Sequence, residues 1–238
     1  MMSRPLQLSE QGQILEAAIE AAANAIINLR DDLNEWDSKV GDGDCGSTMY
    51  RGATAILEDM KKFYPLNDAA ETVNEIGSSI RRVMGGTNTI AFDLNHSLKA
   101  GAEALEASIA AVSKYGGASA GYRTLLDALI PASAVLQERL TAGDDPITAF
   151  IQSSEAALAG AESTRHMQAQ HDVHKIRGIN KNGSKMTLHE TRPIKITQIF
   201  HVLGLISIKR YIPDPGAMAA ASWYRAAALA IKNKLEPS

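Results

Sequence analysis

The 238-residue chain carries 24 basic and 27 acidic residues, a formal charge of −3, with 45% apolar and 5% aromatic residues. That length accommodates one large domain or two small ones, and 21% charged residues is too few for a disordered chain. The weak net charge argues against a nucleic-acid partner, a single cysteine excludes a disulfide framework or cysteine-based zinc site, and no apolar run reaches the ~18–20 residues of a membrane span. The N-terminus lacks the charged-then-apolar layout of a secretion signal, so the expectation is a cytoplasmic protein.

Most of the chain reads at helical period. Ile14, Leu15, Ile19, Ala22, Ala23, Ile26 and Ile27 form a stripe behind Ser9, a candidate N-cap. Met49, Ala53, Ile56, Met60 and Phe63 form a second, and Val73, Ile76, Ile80 and Val83 a third, with Asn67 as its candidate cap. Leu98, Ala102, Leu105, Ile109 and Val112 follow, then Leu125, Leu129, Ala132 and Leu136, where Pro131 introduces a kink. Asp145-Pro146 and Asp214-Pro215 each pair an N-cap with proline at the first helical position, ahead of alanine-rich segments near 147–169 and 216–234. These stripes are core-packing faces and predict an antiparallel helical assembly with short connections.

Residues 171–211 break the pattern. Eight Lys/Arg against two acids give the stretch a charge of +6, leaving −9 for the rest, and it holds four of the six histidines. Ile194/Ile196 and Ile206/Ile208 alternate as in strands. We read 171–211 as an irregular basic insertion within a single domain spanning 1–238.

The densest chemistry lies at Asp37-Ser-Lys-Val-Gly-Asp42-Gly-Asp44-Cys45-Gly46-Ser47-Thr48. Three carboxylates interleaved with glycine repel one another unless a cation joins them, and an oxygen-only donor set suits Mg²⁺ together with substrate phosphates. The helix starting near Gly46 would aim free N–H groups at a phosphate. An EF-hand is excluded, because Gly46 stands where the third ligand belongs. Gly116-Gly-Ala-Ser-Ala-Gly121-Tyr122-Arg123-Thr124 imitates a P-loop but has Tyr122-Arg123 in place of Lys-Ser/Thr. Gly85-Gly86-Thr87-Asn88 is a second glycine loop between helices. The carboxylates around Cys45 should raise its thiol pKa, which argues against a nucleophile. His171 and His174 lack a third metal ligand, and Trp36 and Trp223 read as packing anchors.

The run Asn34-Glu-Trp-Asp37…Gly41-Asp-Gly-Asp44-Cys-Gly46 resembles the C-terminal, nucleotide-binding (L) domain of dihydroxyacetone (glycerone) kinases, above all the fused ATP-dependent enzymes of eukaryotes and plants. The resemblance recurs in family order at Met84-Gly85-Gly86-Thr87, Tyr115-Gly116…Gly121-Tyr122-Arg123-Thr124-Leu125-Leu126-Asp127, Thr164…Met167-Gln168-Ala169 and Asp214-Pro215-Gly216-Ala217. It implies an all-α, antiparallel eight-helix barrel with a nucleotide at one mouth. It further implies that Asp37, Asp42 and Asp44 hold two Mg²⁺ and that ATP or ADP meets Asp44, Cys45, Gly46, Ser47, Thr87, Asn88, Gly116, Thr124, Leu125, Asp214, Pro215 and Gly216. No catalytic residue beyond the metal ligands is implied. The reaction would be γ-phosphoryl transfer to a small ketose held on a separate kinase domain, in cis or in trans, with a homodimer as one arrangement; such an enzyme would be weak or inactive without that domain. A lyase that splits FAD into AMP and cyclic FMN, and a degenerate nucleotide-binding module, are the alternatives. The chain departs from the family at 88–101 and at 171–211, which stands in place of a glycine-arginine loop.

Overall fold

Ser9 accepts the Gly12 N–H at 3.0 Å and opens α1, Glu10–Asn28, as the stripe behind it predicted. The computed structural model describes residues 4–84, 98–167 and 211–236, with side chains from Ala102 onward in the second stretch. Leu29 alone separates α1 from α2, Arg30–Val40, and a glycine turn leads to α3, Cys45–Lys62. Then come α4, Ala69–Met84; α5, Leu98–Gly116; α6, Leu126–Ala142; α7, Pro146–Ser163 with a 3-10 turn at Thr164–His166; and α8, Pro215–Leu235. No strand occurs among the described residues, and the fold is all-α as expected. No helix among them is long and apolar enough to cross a membrane.

Both Asp-Pro signals hold: Asp145 accepts the Thr148 N–H at 2.9 Å and Asp214 the Ala217 N–H at 2.7 Å. The cap of α4 does not fall on Asn67. Asp68 accepts the Glu71 N–H at 3.0 Å, while Asn67 accepts the Ser9 N–H at 2.8 Å and so ties the start of α1 to the α3–α4 turn. The segment 171–211 lies outside the described residues except for Tyr211, and the departure at 88–101 is described only as the backbone start of α5.

Neighbouring helices pack in the order α4, α3, α1, α8, α7, α6, α5, with α2 laid against α3 and α8. The short loops make α3/α4 and α6/α7 antiparallel hairpins. Among the described residues α4 and α5, at the ends of this order, share no such extended packing. Alanines occupy the contacts: Ala128 and Ala132 on α6, Ala149, Ala157 and Ala161 on α7, and Ala217, Ala221 and Ala228 on α8 are buried. A side chain this small lets helix axes approach and loses no rotamer freedom on burial. Trp36 packs onto this core, whereas Trp223 is 37% exposed and meets Tyr224 edge-on.

Pro131 sits within α6 without ending it. Proline has no N–H to give the carbonyl four residues back, that of Asp127. Gly160 of α7 lies against that carbonyl oxygen, so close that a Cβ there would stand 2.1 Å from it. A second core, Ile19, Met60, Tyr64 and Leu66, closes the α1–α3–α4 side. Beside it Tyr64 donates to Ser79 at 2.8 Å, Ser79 donates to Asp59 at 2.7 Å, and Arg82 pairs with Asp59, so the buried carboxylate is satisfied.

Candidate functional site

Gly43, at φ +83°, takes the turn between α2 and α3 through the left-handed region, which glycine enters without strain. The turn points three successive N–H groups back at α2, where one oxygen of Asp37 accepts them all: from Gly43 at 2.9 Å, Asp44 at 3.0 Å and Cys45 at 3.1 Å. Asp37, half-buried, and the exposed Asp42 and Asp44 each offer a carboxylate oxygen, and these lie within 4.8 Å of one another. Burial, then the charges of Asp42 and Asp37, raise the Asp44 carboxyl above its ordinary value. Burial first, and then the surrounding aspartates, push the Cys45 thiol up to about 12, in the direction its neighbours implied. At that value the thiol is protonated at neutral pH and is a poor nucleophile.

The sequence reading gave α3 several free N–H groups for a phosphate; the structure corrects this. Asp37 takes the Cys45 N–H, the Asn34 side-chain oxygen takes that of Ser47 at 3.0 Å, and the Asp44 carbonyl takes that of Thr48 at 2.9 Å. Of these first four, the Gly46 N–H is the one left without an acceptor among the described residues. The cause is tight docking of α2 on α3, which brings α2 side chains over the helix start. A Cβ on Gly46 would stand 1.9 Å from the Arg30 carbonyl oxygen.

A second polar cluster is built from 116–127 and 211–216. Gly117 and Gly121 have positive φ, and among the described residues Arg123 is the non-glycine residue in that region, at φ +61°. Buried Asp127 accepts the Gly121 N–H at 2.5 Å and the Thr124 N–H at 2.8 Å, while the Thr124 hydroxyl oxygen accepts from Leu126 at 3.2 Å. Buried Arg123 donates to the Ile212 carbonyl at 2.6 Å. Buried Thr164 accepts the Asp214 N–H at 2.8 Å. Gly216 faces Leu125, since a Cβ there would lie 3.8 Å from the Leu125 nitrogen. Burial raises the Asp214 carboxyl to about 6, and the Asp214 charge is among those that raise the Cys45 thiol.

The structure thus assembles Asp37, Asp42 and Asp44 with Cys45, Gly46 and Ser47, and separately brings Thr124 and Leu125 beside Asp214, Pro215 and Gly216. Gly116 is exposed at the end of α5. Thr87, Asn88, His171 and His174 lie outside the described residues. The sequence reading missed four positioning groups: Asn34, Arg123, Asp127 and Thr164. Only Asp127 carries a local signal, the Thr-x-x-Asp spacing of a capping box.

The model of the DAK2 domain family matches residues 39–176. The chain belongs to this family, which its all-helical fold and aspartate turn already pointed to. A Solanum lycopersicum protein named "Putative 3,4-dihydroxy-2-butanone kinase" is 61% identical, the match covering 98% of this chain and 37% of that protein. The Homo sapiens "Triokinase/FMN cyclase" is 32% identical, over 63% of this chain and 28% of that protein. The chain therefore spans about a third of the length of these relatives. Among solved structures, the dihydroxyacetone kinase from C. freundii in complex with AMP-PNP and Mg²⁺ superposes with a TM-score of 0.60 at 25% identity, covering 95% of this chain and 35% of that one.

Proposed function

We propose that this chain is the ATP- and Mg²⁺-holding domain of a dihydroxyacetone (glycerone) kinase, a single domain in which 171–211 is an insertion. The observation that carries the reading is the convergence of three carboxylate oxygens within 4.8 Å, on a turn that one of those carboxylates organises itself. The donor set fits Mg²⁺: it offers three carboxylate oxygens within reach of one another, and the charges of Asp42 and Asp37 add to burial in raising the Asp44 carboxyl. Asp37, Asp42 and Asp44 would hold the metal, two ions by family resemblance. Bound Mg²⁺ would offset charge on the nucleotide phosphates. The C. freundii relative was solved with a nucleotide analogue and Mg²⁺, which supports the same ligands here.

The chain's own groups bind and orient. Ser47 and the Gly46 N–H face the phosphates beside the aspartates, while Thr124, Leu125 and Asp214-Pro215-Gly216 form the second cluster, with Gly116, Thr87 and Asn88 completing the nucleotide contacts. The γ-phosphoryl acceptor is a small ketose that a separate domain, in cis or in trans, presents in line with the γ-phosphate. The setting is cytoplasmic, and a homodimer is one arrangement of such domains.

The test is a calorimetric titration with ADP and Mg²⁺. Wild type binds, and Asp42→Ala abolishes the Mg²⁺-dependent binding; unchanged ADP affinity in that variant would refute the reading. Incubated with ATP and dihydroxyacetone, the purified chain turns over negligibly until a ketose-binding domain is added. A second reading, cleavage of FAD to AMP and cyclic FMN, is favoured by the likeness to triokinase/FMN cyclase. Product analysis with FAD in place of ATP separates the two, and absence of nucleotide binding would point instead to a degenerate module.

A further inference from the structure

Asn34 makes two hydrogen bonds to one residue thirteen positions away. Its side-chain oxygen accepts the Ser47 N–H at 3.0 Å, and its side-chain nitrogen lies 3.0 Å from the Ser47 hydroxyl oxygen. A backbone N–H can only donate, so the amide oxygen must face it. The NH₂ group then necessarily faces the hydroxyl and donates to it. An oxygen that receives this hydrogen must turn its own hydrogen elsewhere, and no acceptor for the Ser47 O–H exists among the described residues. Ser47 lies three residues beyond Asp44, on the first turn of α3.

We infer that Asn34 is a positioning residue that sets Ser47 as a hydrogen-bond donor toward an anionic ligand, the phosphate groups of a Mg²⁺-bound nucleoside diphosphate or triphosphate. This rests on the function proposed above and adds a residue to it. Asn34 also takes the Ser47 N–H out of use, so the hydroxyl is what Ser47 offers a phosphate. An asparagine suits the place because it both accepts and donates from one planar group. Aspartate at 34 would still accept the Ser47 N–H, but its other oxygen would accept from the hydroxyl and turn the O–H inward, away from the ligand.

The experiment measures Mg²⁺-dependent ADP affinity and thermal midpoint for the full chain and for Asn34→Asp, Ser47→Ala and the double variant. Asn34→Asp keeps the helix cap, so its midpoint stays near that of wild type, while its Kd rises about tenfold, the size of one lost hydrogen bond to a charged group. Ser47→Ala, which breaks no backbone bond, weakens ADP by a similar factor. Asn34→Asp in the Ser47→Ala background adds less than about twofold, because the hydroxyl it would redirect is gone. The double variant separates hydroxyl direction from the added negative charge, which would repel phosphate in either background. Wild-type affinity in Asn34→Asp or in Ser47→Ala, or an undiminished loss in the double variant, overturns the role of Asn34. Failure of the wild-type chain to bind ADP with Mg²⁺ overturns instead the function beneath it.

Discussion

Asp37 and Asp42 share a turn but do different work, and single substitutions separate them. Asp42 is exposed and accepts no backbone N–H among the described residues, so Asp42→Ala loses metal-dependent binding with an unchanged denaturation midpoint. Asp37→Ala strands the N–H groups of Gly43, Asp44 and Cys45 at the start of α3 and costs about 1–3 kcal/mol as well; urea denaturation of both variants checks this. Cys45 gives a third outcome. With its thiol held up near 12, alkylation by iodoacetamide at pH 8 runs far slower than for free cysteine and accelerates only well above pH 10. A normal rate at pH 8 would show that the carboxylates and burial do not act on the sulfur.

At the scale of elements, the site depends on how closely helices dock and how they start. Gly46 lets α3 meet the Arg30 carbonyl of α2, so Gly46→Ala has backbone, not a flexible side chain, to displace. It should destabilise by about 3 kcal/mol or more and weaken nucleotide together with stability, read from denaturant midpoint and ADP titration. The start of α8 carries a pH dependence. Burial raises the Asp214 carboxyl to about 6, so the folded chain binds its proton more tightly than the unfolded chain does. Its contribution is therefore full below about pH 4 and lost as pH rises through 6, on the order of 3 kcal/mol. In Asp214→Asn the new side-chain amide oxygen can still accept the Ala217 N–H, and it carries no charge to bury. That variant should then be more stable than wild type at pH 7.5, with the advantage gone below about pH 4. A less stable variant at pH 7.5 would mean that Arg123 outweighs burial.

For the whole molecule, the ends that flank 168–210 are latched side by side. Thr164 holds the Asp214 N–H at 2.8 Å, Arg165 donates to the Tyr211 carbonyl at 3.0 Å, and His166 meets the Tyr211 ring edge-on. A short linker can span that gap. Replacing 168–210 by about six Gly/Ser residues should leave the helical circular dichroism intact and the thermal midpoint equal or higher, because a shorter loop closes at lower entropic cost. Collapse of the midpoint would show that the replaced residues belong to the core.

The caps at Ser9, Asp145 and Asp214, and the three clustered aspartates, could be read from the sequence because each is a relation within eight residues. A cap meets an N–H three positions on, and the glycines beside Asp42 and Asp44 announce their turn. Asn67 shows the limit even there: Asp68 stands one residue away, and only contact with Ser9 decides which side chain caps and which ties. Apart from Asp127, the polar frame of the site has partners too far along the chain for spacing to reveal them. Asn34 reaches Ser47 across 13 positions, Thr164 reaches Asp214 across 50 and Arg123 reaches Ile212 across 89. Local chemistry along the chain determined where helices begin and which acids gather. Which N–H groups stay free for a ligand was decided by the packing of α2 on α3, because a donor is spent or spared only when another element arrives beside it.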